Sequence, residues 1–185
     1  MQRLFMLSLV GFLVFSVSVV AEEKNDIDAV IQEALSAGPS YITENATVHN
    51  WQHQTLREGS NGWTCLPTMP ANAEKGEVCP MCLDSTWHSF MAAVQAGEEP
   101  TVTQMGISYM IVGDCGVSNI DPSATGATED NQWILEGPHL MMLLPDSDLY
   151  DQYPADPYAD GPYIMWKDTP YEHLMVPYGE RPAGD

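Results

Sequence analysis

The chain of 185 residues is poor in basic side chains, with six Lys and Arg against 26 Asp and Glu and a formal net charge of −20. Nucleic acids and anionic lipid surfaces are bound mainly through Lys and Arg. The shortage therefore argues against both kinds of partner. The acidic field instead favours cations, a basic protein partner or simply solubility.

The sequence also lacks the short motifs of common enzyme classes. It contains no Gly-x-Ser-x-Gly, no His-Glu-x-x-His, no phosphate-binding glycine loop and no dinucleotide fingerprint. Geometry rather than chain order defines a catalytic triad, so an enzyme remains an alternative. Nothing in the sequence argues for one, and a binding or structural role is favoured.

Long apolar runs are confined to the N-terminus. Arg3 precedes an almost unbroken apolar run over 4–20, and Ala21 stands before a charged segment. This is the pattern of a cleavable signal peptide over residues 1–21. A membrane anchor is the alternative, but the run is slightly short of the roughly 20 residues of a span and no basic cluster follows it. We expect a periplasmic or secreted protein of residues 22–185, free of the membrane after cleavage.

Four cysteines, Cys65, Cys79, Cys82 and Cys115, all follow the predicted signal. An even number of cysteines in an oxidising compartment predicts two disulfides. Because Cys79 and Cys82 would close a very tight loop, we expect Cys65 and Cys115 each to bond one member of that pair. The residues alone do not decide which bonds which.

Hydrophobic periodicity predicts two main helices, one over 26–35 and one from Asp84 or Ser85 through Ala96. Shorter patterns predict loops over 67–78 and 113–132 and a flexible tail over 178–185. The sequence therefore predicts an α+β fold, an antiparallel sheet with two main helices in a single compact domain. The predicted strands cover 47–51, 55–58, 63–66, 102–112, 139–144, 163–166 and 172–176.

Two copies of His-Leu-Met carry the most specific chemistry, His139 to Met141 and His173 to Met175. Residues two apart on a strand share a face, so each copy presents an imidazole with a thioether. If the two strands pair, four donors suited to Cu(I) come together. Met165 could add another sulfur, whereas Trp166 is expected on the opposite face. The alternative is a strand buried on both faces, with core histidines and methionine as a filler.

Two further hypotheses need no metal. The Cys79-Pro80-Met81-Cys82 segment precedes a helix, whose N-terminus lowers the pKa of a cysteine. A thiol-disulfide exchange protein would use Cys79 as the attacking thiol and Cys82 as the resolving one. A thioredoxin-like pair, however, belongs to a βαβ unit, which is absent from the pattern here. The other hypothesis is an interaction or structural module of the cell envelope that binds a basic partner.

Four short motifs follow one another along the chain: Gly62-Trp63-Thr64-Cys65-Leu66-Pro67, Met81-Cys82-Leu83-Asp84, Gly137-Pro138-His139 and Tyr171-x-His173-x-Met175-Val176-Pro177. Their order resembles that of a family of exported bacterial proteins of unassigned function. The resemblance spans most of residues 22–185 and implies a Gram-negative source and one domain. Cys79 and Cys115 are less firmly part of the shared pattern than Cys65 and Cys82. The resemblance therefore makes a Cys65–Cys82 disulfide, with Cys79 and Cys115 joined to each other, the main alternative pairing.

Overall fold

The computed structural model describes residues 25–182. The helices are α1 (25–35), α2 (Ser40–Thr43), α3 (Pro70–Ala73) and α4 (Ser85–Ala96), with a 3-10 helix at Ser147–Gln152. The strands are β1 (Thr47–His49), β2 (Thr55–Arg57), β3 (Thr64–Leu66), β4 (Met81–Leu83), β5 (Gly106–Met110), β6 (Val117–Ser118), β7 (Trp133–Ile134), β8 (His139–Leu143), β9 (Tyr163–Met165) and β10 (His173–Pro177).

Eight strands form one sheet in the order β2-β1-β3-β4-β5-β8-β10-β9, and β6 pairs with β7 in a small second sheet. Only β1 and β3 run parallel; every other pair in the large sheet is antiparallel. The predicted α+β class, with a mostly antiparallel sheet and two long helices, is confirmed. The prediction missed β4, a three-residue strand between Pro80 and the cap of α4.

Helix α4 begins and ends where the sequence predicts. Asp84 caps it by accepting a hydrogen bond from the Trp87 backbone, and Gly97 ends it in the left-handed conformation that glycine adopts without strain. The second oxygen of Asp84 accepts from the Ile107 backbone at 2.6 Å. This carboxylate therefore fixes the helix against β5. Trp87 and Phe90 are the buried side chains of the helix.

Helices cover both faces of the sheet. On one face α4 packs with Leu83, Met141 and other side chains of the strands, which form the largest core cluster. On the other face Ala34 of α1 lies in a cluster with Cys65 and Cys82. Alternating burial along β5 and β8 shows that one side of each central strand is more deeply buried than the other. The cavity described below lies on the α4 side.

Both disulfides pair as the family resemblance implies. Cys65 bonds Cys82, which lies directly opposite it on the neighbouring strand with 4.0 Å between the Cα atoms. Cys79 bonds Cys115 across 5.6 Å between Cα atoms. All four cysteines belong to the described residues and none is free. The two bonds are consistent with an oxidising compartment.

The predictions for the two termini have different outcomes. The predicted signal peptide, residues 1–21, lies outside the described residues. Within residues 25–182, no helix is long and apolar enough to cross a membrane. The prediction of a flexible tail from Tyr178 is wrong at Arg181, whose guanidinium makes hydrogen bonds of 2.8–3.1 Å to the buried carboxylate of Glu136.

Candidate metal-binding cavity

The strand register brings the four predicted donors to one face of the sheet. Met141 on β8 lies directly opposite Met175 on β10. His139 and His173 each stand two residues before their methionine and therefore share its side of the strand. Met165 on β9 lies opposite His173 and adds a third thioether to this face. The conditional expectation that the two strands pair is met.

All five side chains line one cavity of about 220 Å³. Its roof is helix α4, which contributes Trp87 and Met91, and its sides are the segments 69–81 and 114–117. The Cys79–Cys115 disulfide joins these two side segments and itself lines the cavity. The cavity is thus built on a paired sheet and closed by a covalent link.

Local backbone geometry sets the tautomer of both imidazoles. The Nδ1 atom of His139 lies 2.7 Å from the carbonyl oxygen of Gly137, and Nδ1 of His173 lies 3.0 Å from that of Tyr171. A carbonyl only accepts hydrogen bonds, so Nδ1 must carry the proton in each ring. In a neutral imidazole this leaves Nε2 with a free lone pair. The same i to i−2 bond in both copies of the motif orients two acceptor nitrogens in the same way.

Neither Nε2 atom has a hydrogen-bond partner among the described residues, although both histidines are only 1% exposed. Burial lowers the pKa of both imidazoles, and that of His173 falls to about 4. The two rings are therefore neutral at pH 7, the form that binds metals. The alternative prediction of satisfied core histidines agrees with the Nδ1 bonds, whereas the Nε2 atoms have no protein partner among the described residues.

Methionine residues make up a large share of the cavity lining. Of eleven methionines, two lie within residues 1–21, and seven of the remaining nine line the cavity. They come from seven separate parts of the chain, and sequence reasoning brought only Met141, Met165 and Met175 together. The seven are Met69, Met81, Met91, Met110, Met141, Met165 and Met175.

Two indole rings flank His173. The strand pattern predicted the wrong face for one of them, that of Trp166. Trp87 and Trp166 lie edge-on to the imidazole with ring centroids 5.3 and 5.0 Å away. Alternation predicted Trp166 on the opposite face from Met165. That prediction is wrong because Trp166 takes a φ of +58°, which ends β9 and turns its side chain to the cavity. Its indole nitrogen donates to the Ser118 carbonyl at 2.8 Å.

Asp114 is the one charged residue among the described residues that line the cavity. Its Oδ1 accepts hydrogen bonds from the Gly116 and Glu136 backbones. Burial raises the pKa of this carboxyl to about 7 in spite of those bonds. Nearby Glu136 is 1% exposed, pairs with Arg181 and accepts a hydrogen bond from Tyr163. The cavity therefore holds little fixed charge of its own.

In the described residues, the structure does not bring together the other metal-binding or redox groups that were considered. Among residues 25–182, no group of three or more His, Cys, Asp or Glu is placed to hold a metal ion. Cys79 and Cys82 are bonded to different cysteines rather than to each other. The remaining histidines, His49, His53 and His88, lie elsewhere, with the rings of His49 and His88 5.9 Å apart.

Sequence reasoning missed several residues of the cavity. Trp87 and Met91 stand four apart on α4, and this helical spacing puts them on one face. Met110 shares a face of β5 with Gly106 and Ser108 by strand alternation, and the register puts it opposite His139. Met69 gave no such signal because it lies in a predicted loop, and Met81 lies in a stretch for which no element was predicted.

The chain matches no family model, no curated protein and no solved structure. The geometry of the cavity is therefore the basis on which we propose a function.

Proposed function

We propose that this chain is an exported protein that binds Cu(I) through His139, Met141, His173 and Met175, with Met165 as a further donor. The observation that carries the proposal is a pair of buried Nε2 atoms, from two histidines that line one methionine-rich cavity, that have no partner within residues 25–182. A buried polar atom without a hydrogen bond costs about 1–3 kcal/mol. A bound metal ion satisfies both nitrogens at once.

The donor set favours a soft monovalent ion. Thioether and imidazole suit Cu(I), while calcium and magnesium require oxygen ligands. Zinc sites are built from Cys, His and carboxylates, and no such group of three is found in the described residues. A single positive charge is also the least costly to place in a largely apolar cavity, where Asp114 is the one carboxylate among the described residues of the wall.

The proposed location outside the cytoplasm rests on the signal-like N-terminus, the two disulfides and the resemblance to exported bacterial proteins. In this proposal copper is cargo, and we assign no catalytic step. The acidic field of the chain would attract the cation or a basic envelope protein that exchanges it.

The direct test is a Cu(I) titration of residues 22–185 with both disulfides intact, in competition with a chromophoric Cu(I) chelator. We expect uptake of about one equivalent, because the donors form one set around one cavity. The double substitution His139→Leu with His173→Leu removes both Nε2 ligands and should lower affinity by at least about a hundredfold.

Two matched controls distinguish the cavity from nonspecific uptake. Met142 is adjacent to Met141 but points to the opposite face of β8, so Met142→Leu should leave affinity unchanged while Met141→Leu lowers it. His53→Asn removes an exposed histidine at a position with φ of +60°, which asparagine tolerates. Absence of uptake by the parent protein, or equal losses in the cavity variants and controls, would refute the proposal.

The two metal-free hypotheses have less support. Thiol-disulfide exchange needs Cys79 and Cys82 to bond each other during turnover, whereas each is held by a different partner cysteine. An envelope interaction module would account for the acidic surface but not for the paired Nε2 atoms. Intact-mass thiol counts after mild reduction distinguish the exchange hypothesis, since it requires thiols that appear and reoxidise readily.

A further inference from the structure

Met69 differs from the four proposed ligands in its exposure to solvent. It lines the cavity and is also 47% exposed to solvent. It therefore lies at the mouth, where the cavity meets solvent. Met105 is 52% exposed but lies away from the cavity. Comparing substitutions at these two residues therefore distinguishes the effect of an exposed thioether from the effect of a thioether that also reaches the cavity.

The backbone next to Met69 is held firmly. The carboxylate of Glu33 accepts hydrogen bonds from the backbone and hydroxyl of Thr68 at 2.9 and 2.5 Å. The Thr68 hydroxyl oxygen accepts from the Cys79 backbone at 2.8 Å, and Cys79 is bonded to Cys115 on the facing wall. The backbone immediately before Met69 is thus anchored by a partly buried polar network that reaches the Cys79–Cys115 disulfide.

The methionines that line the cavity differ in their exposure to solvent. Met69 is half-exposed, Met81 and Met91 are partly buried, and Met141 and Met175 are 9% and 1% exposed. A cation that leaves water for an apolar space is strongly destabilised unless ligands replace its hydration shell. Methionines that range from half-exposed to fully buried let a soft ion exchange one neutral ligand for the next.

We propose that Met69 is the first protein ligand of the incoming ion, and that Cu(I) passes from it through the partly buried methionines to His139, Met141, His173 and Met175. This inference rests on the proposed Cu(I) function and adds the route by which the ion is exchanged. At each step a coordinate bond from copper to one ligand is replaced by a bond to the next, and no electron is transferred, so the ion stays Cu(I). A ligand on the route changes the rates of uptake and release together and leaves their ratio, the affinity, unchanged.

The test is stopped-flow transfer of Cu(I) from a chromophoric chelator to residues 22–185, with equilibrium affinity measured on the same samples. Met69→Leu keeps the apolar volume of the side chain and removes the sulfur. We expect it to slow both uptake and release by about tenfold with affinity within about threefold of the parent. Met105→Leu, the matched control, should change neither.

Each outcome has one meaning. If Met69→Leu exchanges Cu(I) as fast as the parent, the inference is wrong while the proposed function stands. If it lowers equilibrium affinity more than about tenfold, Met69 holds the ion at rest and the inference is again wrong. If the parent protein takes up no Cu(I) at equilibrium, the proposed function fails first and the inference fails with it.

Discussion

The two faces of strands β8, β9 and β10 are made by the same short segments and differ sharply in packing. On one face Ile164 and Leu174 are buried against Tyr150, whose hydroxyl oxygen accepts a hydrogen bond from the Leu144 backbone. On the other face His139 and His173 are equally buried, but their Nε2 atoms have no partner in the described part of the chain and the face lines a cavity. Closed packing stabilises the fold, whereas buried polar atoms without partners are costly, which is why the proposed site lies on the second face.

The largest expected loss of stability comes from a substitution on the closely packed face, which holds Ile164 and Leu174. Ile164 is fully buried, so Ile164→Ala should lower the free energy of unfolding by about 2–5 kcal/mol. On the cavity face Met175→Leu nearly conserves volume and should cost less than about 1.5 kcal/mol. Urea denaturation of both variants measures the difference. A larger loss for Met175→Leu would reverse the comparison.

The same two variants should also differ in Cu(I) affinity, but here Met175→Leu should show the larger loss. Folded Ile164→Ala retains all the proposed ligands and should bind Cu(I) as the parent does. Met175→Leu loses a thioether and should bind more weakly. Titration under conditions where both variants are fully folded provides this control.

A smaller effect on the free energy of unfolding is expected from a change in pH. Burial lowers the pKa of His173 from 6.5 to about 4, so the unfolded chain takes up the proton more readily. The stability this neutral ring contributes is therefore present above pH 6.5 and is lost as pH falls towards 4. The full difference is of the order of 3 kcal/mol.

Many carboxylates titrate in the same range, so the parent must be compared with His173→Leu. The variant should lose less stability than the parent between pH 7 and pH 4, as measured by urea denaturation at each pH. Parallel pH profiles for the two proteins would show that His173 is not the buried neutral ring described above.

Local rules predicted the parts of the site but not its assembly. The period of two along a strand placed each histidine beside its methionine, and Asp84 and Gly97 marked the ends of α4. Pairing of β8 with β10 could be stated only as a condition, since register depends on contacts distant in sequence. The cavity itself depends on how far α4 stands from the sheet, which no sequence pattern encodes.

The errors have specific physical causes. Trp166 was assigned to the wrong face because its positive φ breaks the alternation that the pattern assumed. The segment from Tyr178 was taken as flexible because its composition is polar and rich in Gly and Pro, yet Arg181 pairs with buried Glu136. A short segment with one strong tertiary ion pair is indistinguishable from a disordered tail by composition.

The most direct measurement is nitrogen NMR of the histidine side chains before and after one equivalent of Cu(I). The account predicts that His139 and His173 begin as neutral rings protonated at Nδ1 and that only their Nε2 signals shift on binding. The signals of His49, His53 and His88 should stay unchanged. Shifts at those three histidines, or no shift at either cavity Nε2, would contradict the assignment of the cavity as a copper site.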